Sequence, residues 1–183
     1  MGAWELIKSD LYRYHGKTDT RNLLKAFFLI EGFRYMLFFR LCAGSTGLVR
    51  MWWRLILRHY SYKYGFQIPH TTKVGKGFYI GHFGTVVVNG NATIGDNVNI
   101  SPGVVIGQVS RGRSKGVPTI GNKVWIGSNA IIVGNITVGN DVLIAPGAYV
   151  NTDVPAGSLV MGNPAVISVG KGVEGYIMNE WGL

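Results

Sequence analysis

The chain has 183 residues, with 27 glycines, 15% charged residues and a net charge of +9. That length holds one compact unit with a small appendage, and so many glycines among so few charges exclude a disordered chain and suit a corner-rich β architecture. Cys42 is the single cysteine, which rules out an internal disulfide and points to a reducing, cytoplasmic compartment.

Glu5, Lys8, Asp10, Arg13, Lys17 and Asp19 interrupt the first twenty residues, so no signal-peptide core is expected. Residues 1–66 read as helices. Ala3 to Tyr14 form the first, closed by Gly16; Asp19 or Thr20 caps a second, running from about Arg21 to Cys42 with Gly32 as a weak point inside it. Gly44-Ser-Thr-Gly47 breaks the pattern, and a third helix runs to about Tyr64. No apolar run reaches the uncharged length needed to span a bilayer. This region holds eleven Lys/Arg against four Asp/Glu, a net +7, which suggests an anionic partner. No nucleic-acid motif accompanies the charge, so nucleic acid is not expected. On the third helix Arg50, Arg54 and Arg58 fall at i, i+4 and i+8, beside Trp52 and Trp53. Two readings stay open: helices packed on one another and on neighbouring subunits, or a peripheral contact with the inner face of a membrane, aromatics at the headgroups and arginines on anionic lipid.

From Gln67 a six-residue rhythm takes over. Ile68, Val74 and Ile80 keep the step; it slips by two residues within Gly81-His82-Phe83-Gly84-Thr85 and resumes at Val88, Ile94, Ile100 and Ile106. After Gly107-to-Pro118, a basic loop pushed out of one corner, Ile120, Ile126, Ile132, Val138, Ile144 and Val150 restore it. Helices repeat at three and four and strands at two, so neither explains a period of six. The fold predicted is mainly β: a left-handed parallel β-helix of about five coils, with the aliphatic residue pointing inward and Gly or Asn at corners needing positive φ. Residues eighteen apart should stack at roughly 4.8 Å, placing Gly121 on Gly139 and Asn122 on Asn140. The organisation expected is a helical region over 1–66, the β-helix over 67–168 and a tail over 169–183, helix or cap. Trp125 should point outward, and exposed apolar faces on so narrow a prism suggest a homotrimer.

A lone histidine is more often structural than catalytic, but His82 sits where the rhythm breaks. The segments Ile80-Gly-His82-Phe-Gly-Thr-Val-Val-Val, Asn91-Ala-Thr-Ile-Gly-Asp96, Val105-Ile-Gly107, Val117-Pro-Thr-Ile-Gly121 and Met161-Gly-Asn-Pro-Ala165 resemble the hexapeptide-repeat acyltransferases, specifically the serine O-acetyltransferase branch. The resemblance covers Gln67 to about Ser168. It implies acetyl-CoA as co-substrate, no metal, and sites between subunits of a trimer. It makes His82 the general base for direct attack of an acceptor hydroxyl on the thioester, without an acetyl-enzyme. Gln67 stands where those enzymes carry the aspartate that pairs with this histidine. The cofactor would be held by backbone groups of Gln108, Ser128 and Pro146. Arg111, Arg113 and Lys115 are either phosphate partners for CoA or a solvated loop.

The departures concern the acceptor. Serine enzymes carry an acid immediately before the histidine, here Gly81, and an Arg-His pair before the loop proline, here Gly116-Val117. Without the charges that recognise a zwitterion, a sugar or polysaccharide hydroxyl is the acceptor expected, with serine acetylation as the alternative. A zinc enzyme of the β-helix carbonic anhydrase type needs three histidine ligands, and only His70 and His82 lie in the prism. A non-catalytic trimeric scaffold would leave His82 and the slip without a purpose.

Overall fold

The computed structural model describes residues 2–182. Four helices, α1 (Ala3–His15), α2 (Thr20–Leu29), α3 (Glu31–Ala43) and α4 (Gly47–Tyr64), precede a three-sided parallel β-helix. Its faces hold five, four and six short strands, giving about five coils. This is the architecture expected, consistent with left-handed winding. Every aliphatic residue of the six-step from Ile80 to Val150 is buried, in one continuous core that also takes in Tyr35, Phe39 and Leu57 of the helices.

The register explains both breaks in rhythm. Gln67 pairs with Val87 and Tyr79 with Asn99, twenty residues on, so the first coil carries two extra residues. Val87 pairs with Val105 at a spacing of eighteen, whereas Asn99 pairs with Trp125 at twenty-six, because the basic loop adds eight. Corner falls on corner as predicted: the Asn140 side chain accepts from Asn122 N–H at 2.7 Å, and the Asn122 side chain accepts from Asp96 N–H at 2.8 Å. The corner glycines serve a different purpose from the one expected. Positive φ falls at Asn97, Lys123 and Asp141, not at Gly95, Gly121 or Gly139. A Cβ on Gly121 would lie 2.6 Å from the Asn140 side-chain oxygen and 2.8 Å from Gly139 backbone, so these glycines permit coil-on-coil approach.

The helical region departs from the sequence reading in one place. Instead of one helix weakened at Gly32, α2 and α3 break at Ile30, which adopts extended geometry at φ −122°. Gly32 lies within α3, pressed on the prism: a Cβ there would stand 2.2 Å from the Ile80 carbonyl oxygen. Gly32→Ala is therefore expected to destabilise the protein by about 1–3 kcal/mol, since neither backbone can give without losing contact elsewhere. An unchanged urea midpoint would show that α3 lifts off freely. The first helix ends as predicted, with Gly16 in left-handed geometry, and Asp19 caps α2 by accepting from Asn22 N–H at 3.1 Å.

At the far end, Ser158–Met161 pairs antiparallel with Val166–Val169, a hairpin that the six-residue pattern does not announce. Among the described residues the tail beyond contains no helix and acts as a cap. Val173 and Ile177 bury themselves with Leu143, and Tyr176 packs against Trp125 at 5.2 Å. Trp125 does point out of the prism, but its own chain half covers it, so it supplies no free apolar face. No helix among the described residues is long and apolar enough to cross a membrane.

Candidate active site

The two extra residues of the first coil collect at one corner. Five residues separate Ile80 from Val86, where the next coil places three between Ile100 and Val104, and these pairs stack. The surplus bulges outward and carries His82 and Phe83 into solvent, Phe83 being 67% exposed. Backbone contacts fix the bulge from both sides. Gly84 N–H donates to the Tyr64 carbonyl at 3.1 Å, and the Thr85 carbonyl accepts from Gly103 N–H at 2.6 Å. An exposed imidazole on a fixed corner is available to an incoming ligand.

The same corner continues down the prism. Asn129 N–H donates to the Pro102 carbonyl at 3.0 Å, and Gly147 N–H to the Ser128 carbonyl at 2.9 Å. Three of the expected site residues, His82, Ser128 and Pro146, thus fall on one column of corners. Gln108 and the basic loop leave from the next corner, after Val105–Gly107. Val109 and Gly116 exchange two backbone hydrogen bonds, making a hairpin whose Ser114 carbonyl accepts from Asn135 N–H at 2.9 Å. Arg111, Arg113 and Lys115 are exposed on it, and among the described residues none forms an ion pair. The two corners flank the five-stranded face, whose outward residues are Gln67, Val87, Val105, Ile131 and Tyr149 in successive coils. This arrangement leaves a largely apolar strip with the His82 imidazole at one edge and the cations of the loop at the other.

Gln67 heads that strip, exposed, one strand from the bulge. Among the described residues neither its amide nor the His82 ring makes a hydrogen bond, so no hydrogen bond joins the two. For a CoA-like ligand the backbone fits in one respect. Among the described residues Gln108 N–H and Ser128 N–H have no backbone partner and are free to donate. The described residues contain no cluster of three or more metal-ligating side chains.

Two of the positions where the sequence departs from the serine enzymes, Gly81 and Gly116, are crowded. A Cβ on Gly81 would meet the Tyr79 ring at 3.1 Å, so a side chain there requires the tyrosine to move. Gly116 has φ +141°, and its Cβ would lie 2.7 Å from that of Asn135. A side chain at Gly81 or Gly116 thus requires its neighbours to shift. Sequence reasoning missed Tyr79, because nothing in a six-residue pattern says which side chain will lie over a neighbouring glycine.

On the helices, Arg50 is not part of a free stripe. Its Nε donates to the Ser45 carbonyl at 2.5 Å, leaving Arg54 and Arg58 exposed. Only Trp52 of the tryptophan pair faces outward, since Trp53 packs on Phe38.

Comparison with known proteins bears on the fold. Residues 118–152 match the bacterial transferase hexapeptide (six repeats) family. A serine acetyltransferase of Helicobacter pylori is 34% identical over 101 residues, 55% of this chain and 59% of that protein. Serine acetyltransferase 1, chloroplastic, of Arabidopsis thaliana is 41% identical over 117 residues, 64% of this chain and 37% of that protein. Among solved structures, the serine acetyltransferase of Brucella abortus superposes with a TM-score of 0.77 at 28% identity, covering 92% of this chain and 70% of that one. The chain thus spans a little over half of the first relative's length and about a third of the second's. The resemblance to the left-handed β-helix acyltransferases holds across the prism, and the structural match extends into the helices.

Proposed function

We propose that the chain is an acetyl-CoA-dependent O-acetyltransferase with His82 as general base. The observation that carries this is the bulged corner, which exposes one imidazole at the head of a column containing Ser128 and Pro146. In the proposed reaction His82 takes the proton of an acceptor hydroxyl as its oxygen attacks the thioester carbonyl. The carbon–sulfur bond breaks, the thiolate of CoA leaves, and the imidazolium returns the proton to it. Gln67 at most orients the ring, because an amide oxygen cannot stabilise imidazolium as a carboxylate does. The apolar strip on the five-stranded face supports a trimer in which a second copy closes a cleft over the site.

For the acceptor, the relatives favour L-serine over the carbohydrate that the missing charges suggest. L-serine is therefore the first reading. With acetyl-CoA it should give acceptor-dependent CoA release, and L-alanine, which lacks the hydroxyl, should give none. A carbohydrate hydroxyl remains as the second reading on a specific observation: Tyr79 and Asn135 crowd the positions where serine enzymes carry charge. A site lacking those partners gives up the discrimination they provide. Release with sugars but not with L-serine would select this second reading. Absence of acceptor-dependent release across both classes would remove the enzymatic one.

A further inference from the structure

A groove of about 720 Å³ opens between α4 and the first coil, with Gln67 among its lining residues. Its floor is apolar and fixed: Leu57, Ile68 and Tyr35 are buried, and the Tyr35 hydroxyl donates to the Ile68 carbonyl at 2.9 Å. Its rim is cationic. Arg54 and Arg58, one helical turn apart, both line it, and among the described residues neither has a hydrogen bond or an acid within ion-pair distance. Arg58 lies over the Tyr62 ring at 5.3 Å. His70 lies at the other wall, half-buried, with burial and then Arg54 and Arg50 holding its pKa below the usual value. At neutral pH it is a neutral donor and acceptor facing two cations. No aspartate or glutamate lines the groove. Met51, Leu55 and Tyr62 continue the apolar surface from the rim out along α4, each more than half exposed.

Two guanidiniums with no counter-ion, above an apolar floor, match a ligand with a doubly charged headgroup and an apolar chain. We propose that this groove binds a phosphate monoester carried on an alkyl chain, its phosphoryl oxygens held by Arg54 and Arg58 and its chain laid along Leu55 and Leu57. Arginine forks suit phosphate because two parallel N–H groups meet two oxygens, and each such contact is charge-assisted. Gln67 lines both this groove and the proposed transfer site, so the test is a binding measurement that does not read acetyl transfer.

Titration calorimetry with octyl phosphate, kept below its micellar concentration, should show saturable binding that weakens with salt. Octyl glucoside, with the same chain and no charge, and inorganic phosphate, with the charge and no chain, should each bind at least about tenfold more weakly. Arg54→Gln with Arg58→Gln should weaken octyl phosphate by about tenfold or more, with circular dichroism, molecular mass and CoA affinity unchanged. Equal affinity of the double variant, or of octyl glucoside, would overturn the proposal. So would displacement of octyl phosphate by CoA, since the groove would then belong to the thioester. A fall in molecular mass of the variant would assign the arginines to an interface between copies. Binding to phosphatidylglycerol vesicles without binding of monomeric octyl phosphate would assign them to a membrane surface; either result removes the site. Failure of the protein to bind CoA would sink the transferase reading and leave this one standing.

Discussion

His82→Ala is expected to lower acetyl transfer by about 10²–10⁴-fold, the usual worth of general-base catalysis, while leaving CoA affinity and fold intact. The separation is expected because the histidine is exposed on its bulge and supports nothing. The bulge is held by backbone bonds through Gly84 and Thr85, and the ring makes no hydrogen bond among the described residues. Removing the imidazole thus leaves the corner column unchanged, including the carbonyl of Ser128. Gln67→Ala should cost less, because no hydrogen bond joins it to the ring among the described residues. Steady-state kinetics with the preferred acceptor, beside CoA binding by calorimetry, separates chemistry from binding. A folded His82→Ala protein turning over at nearly the wild-type rate would take the histidine out of the mechanism.

How far the sequence foretells this site depends on which residues are asked. The inward aliphatics are legible because a coil of three short sides imposes its period on every side at once. The bulge is legible for the same reason, as two residues too many between Ile80 and Val88 show up as a fault in a regular pattern. The break at Ile30 is not. Gly32 reads as a weak point by helix propensity, yet the structure uses it for contact with Ile80, a long-range fact that no local scale holds. The closing hairpin and the tail that covers Trp125 are equally hidden, for they follow no repeat.

Charge misleads most. The +7 of residues 1–66 reads as a basic surface for an anionic partner, but several of those cations are structural. Arg13 is buried and donates to the Gly77 carbonyl at 2.6 Å and the Asn99 side chain at 2.7 Å. Arg34 donates to the Phe27 and Phe28 carbonyls and to the Tyr64 hydroxyl, joining α2 to α4 across α3. What remains for a partner is narrower than the count suggests, with Arg54 and Arg58 as its clearest part.

The largest effect on stability is expected at the buried pair of Arg40 and Asp10. The guanidinium spans both carboxylate oxygens, at 2.9 and 3.0 Å, and both side chains are at most 2% exposed. Two of its other three hydrogens go to the prism, to the Val74 carbonyl at 2.6 Å and the Gly75 carbonyl at 2.5 Å, while Asp10 accepts from Phe78 N–H at 2.8 Å. One pair thus ties α1 and α3 to the first coil, the coil that carries Gln67 and leads into the His82 bulge. Burial pushes the Asp10 carboxyl up, and Arg40 first, then Phe78 N–H, pull it part of the way back. A carboxyl that takes its proton more readily in the fold than in the unfolded chain contributes most at low pH, so acidification withdraws no stability here. Removing the partner is another matter. Arg40→Met should cost about 3–5 kcal/mol, because it strands a buried carboxylate and two carbonyls. Asp10→Asn should cost less, since an amide oxygen still accepts from Phe78 N–H and from the guanidinium. In the double variant Asp10→Leu, Arg40→Met the losses should fall short of additive, because no unpaired charge remains. Urea titration read by both circular dichroism and tryptophan emission would register these differences. An Arg40→Met protein within about 1 kcal/mol of wild type would mean that the helices do not depend on this pair to hold the first coil.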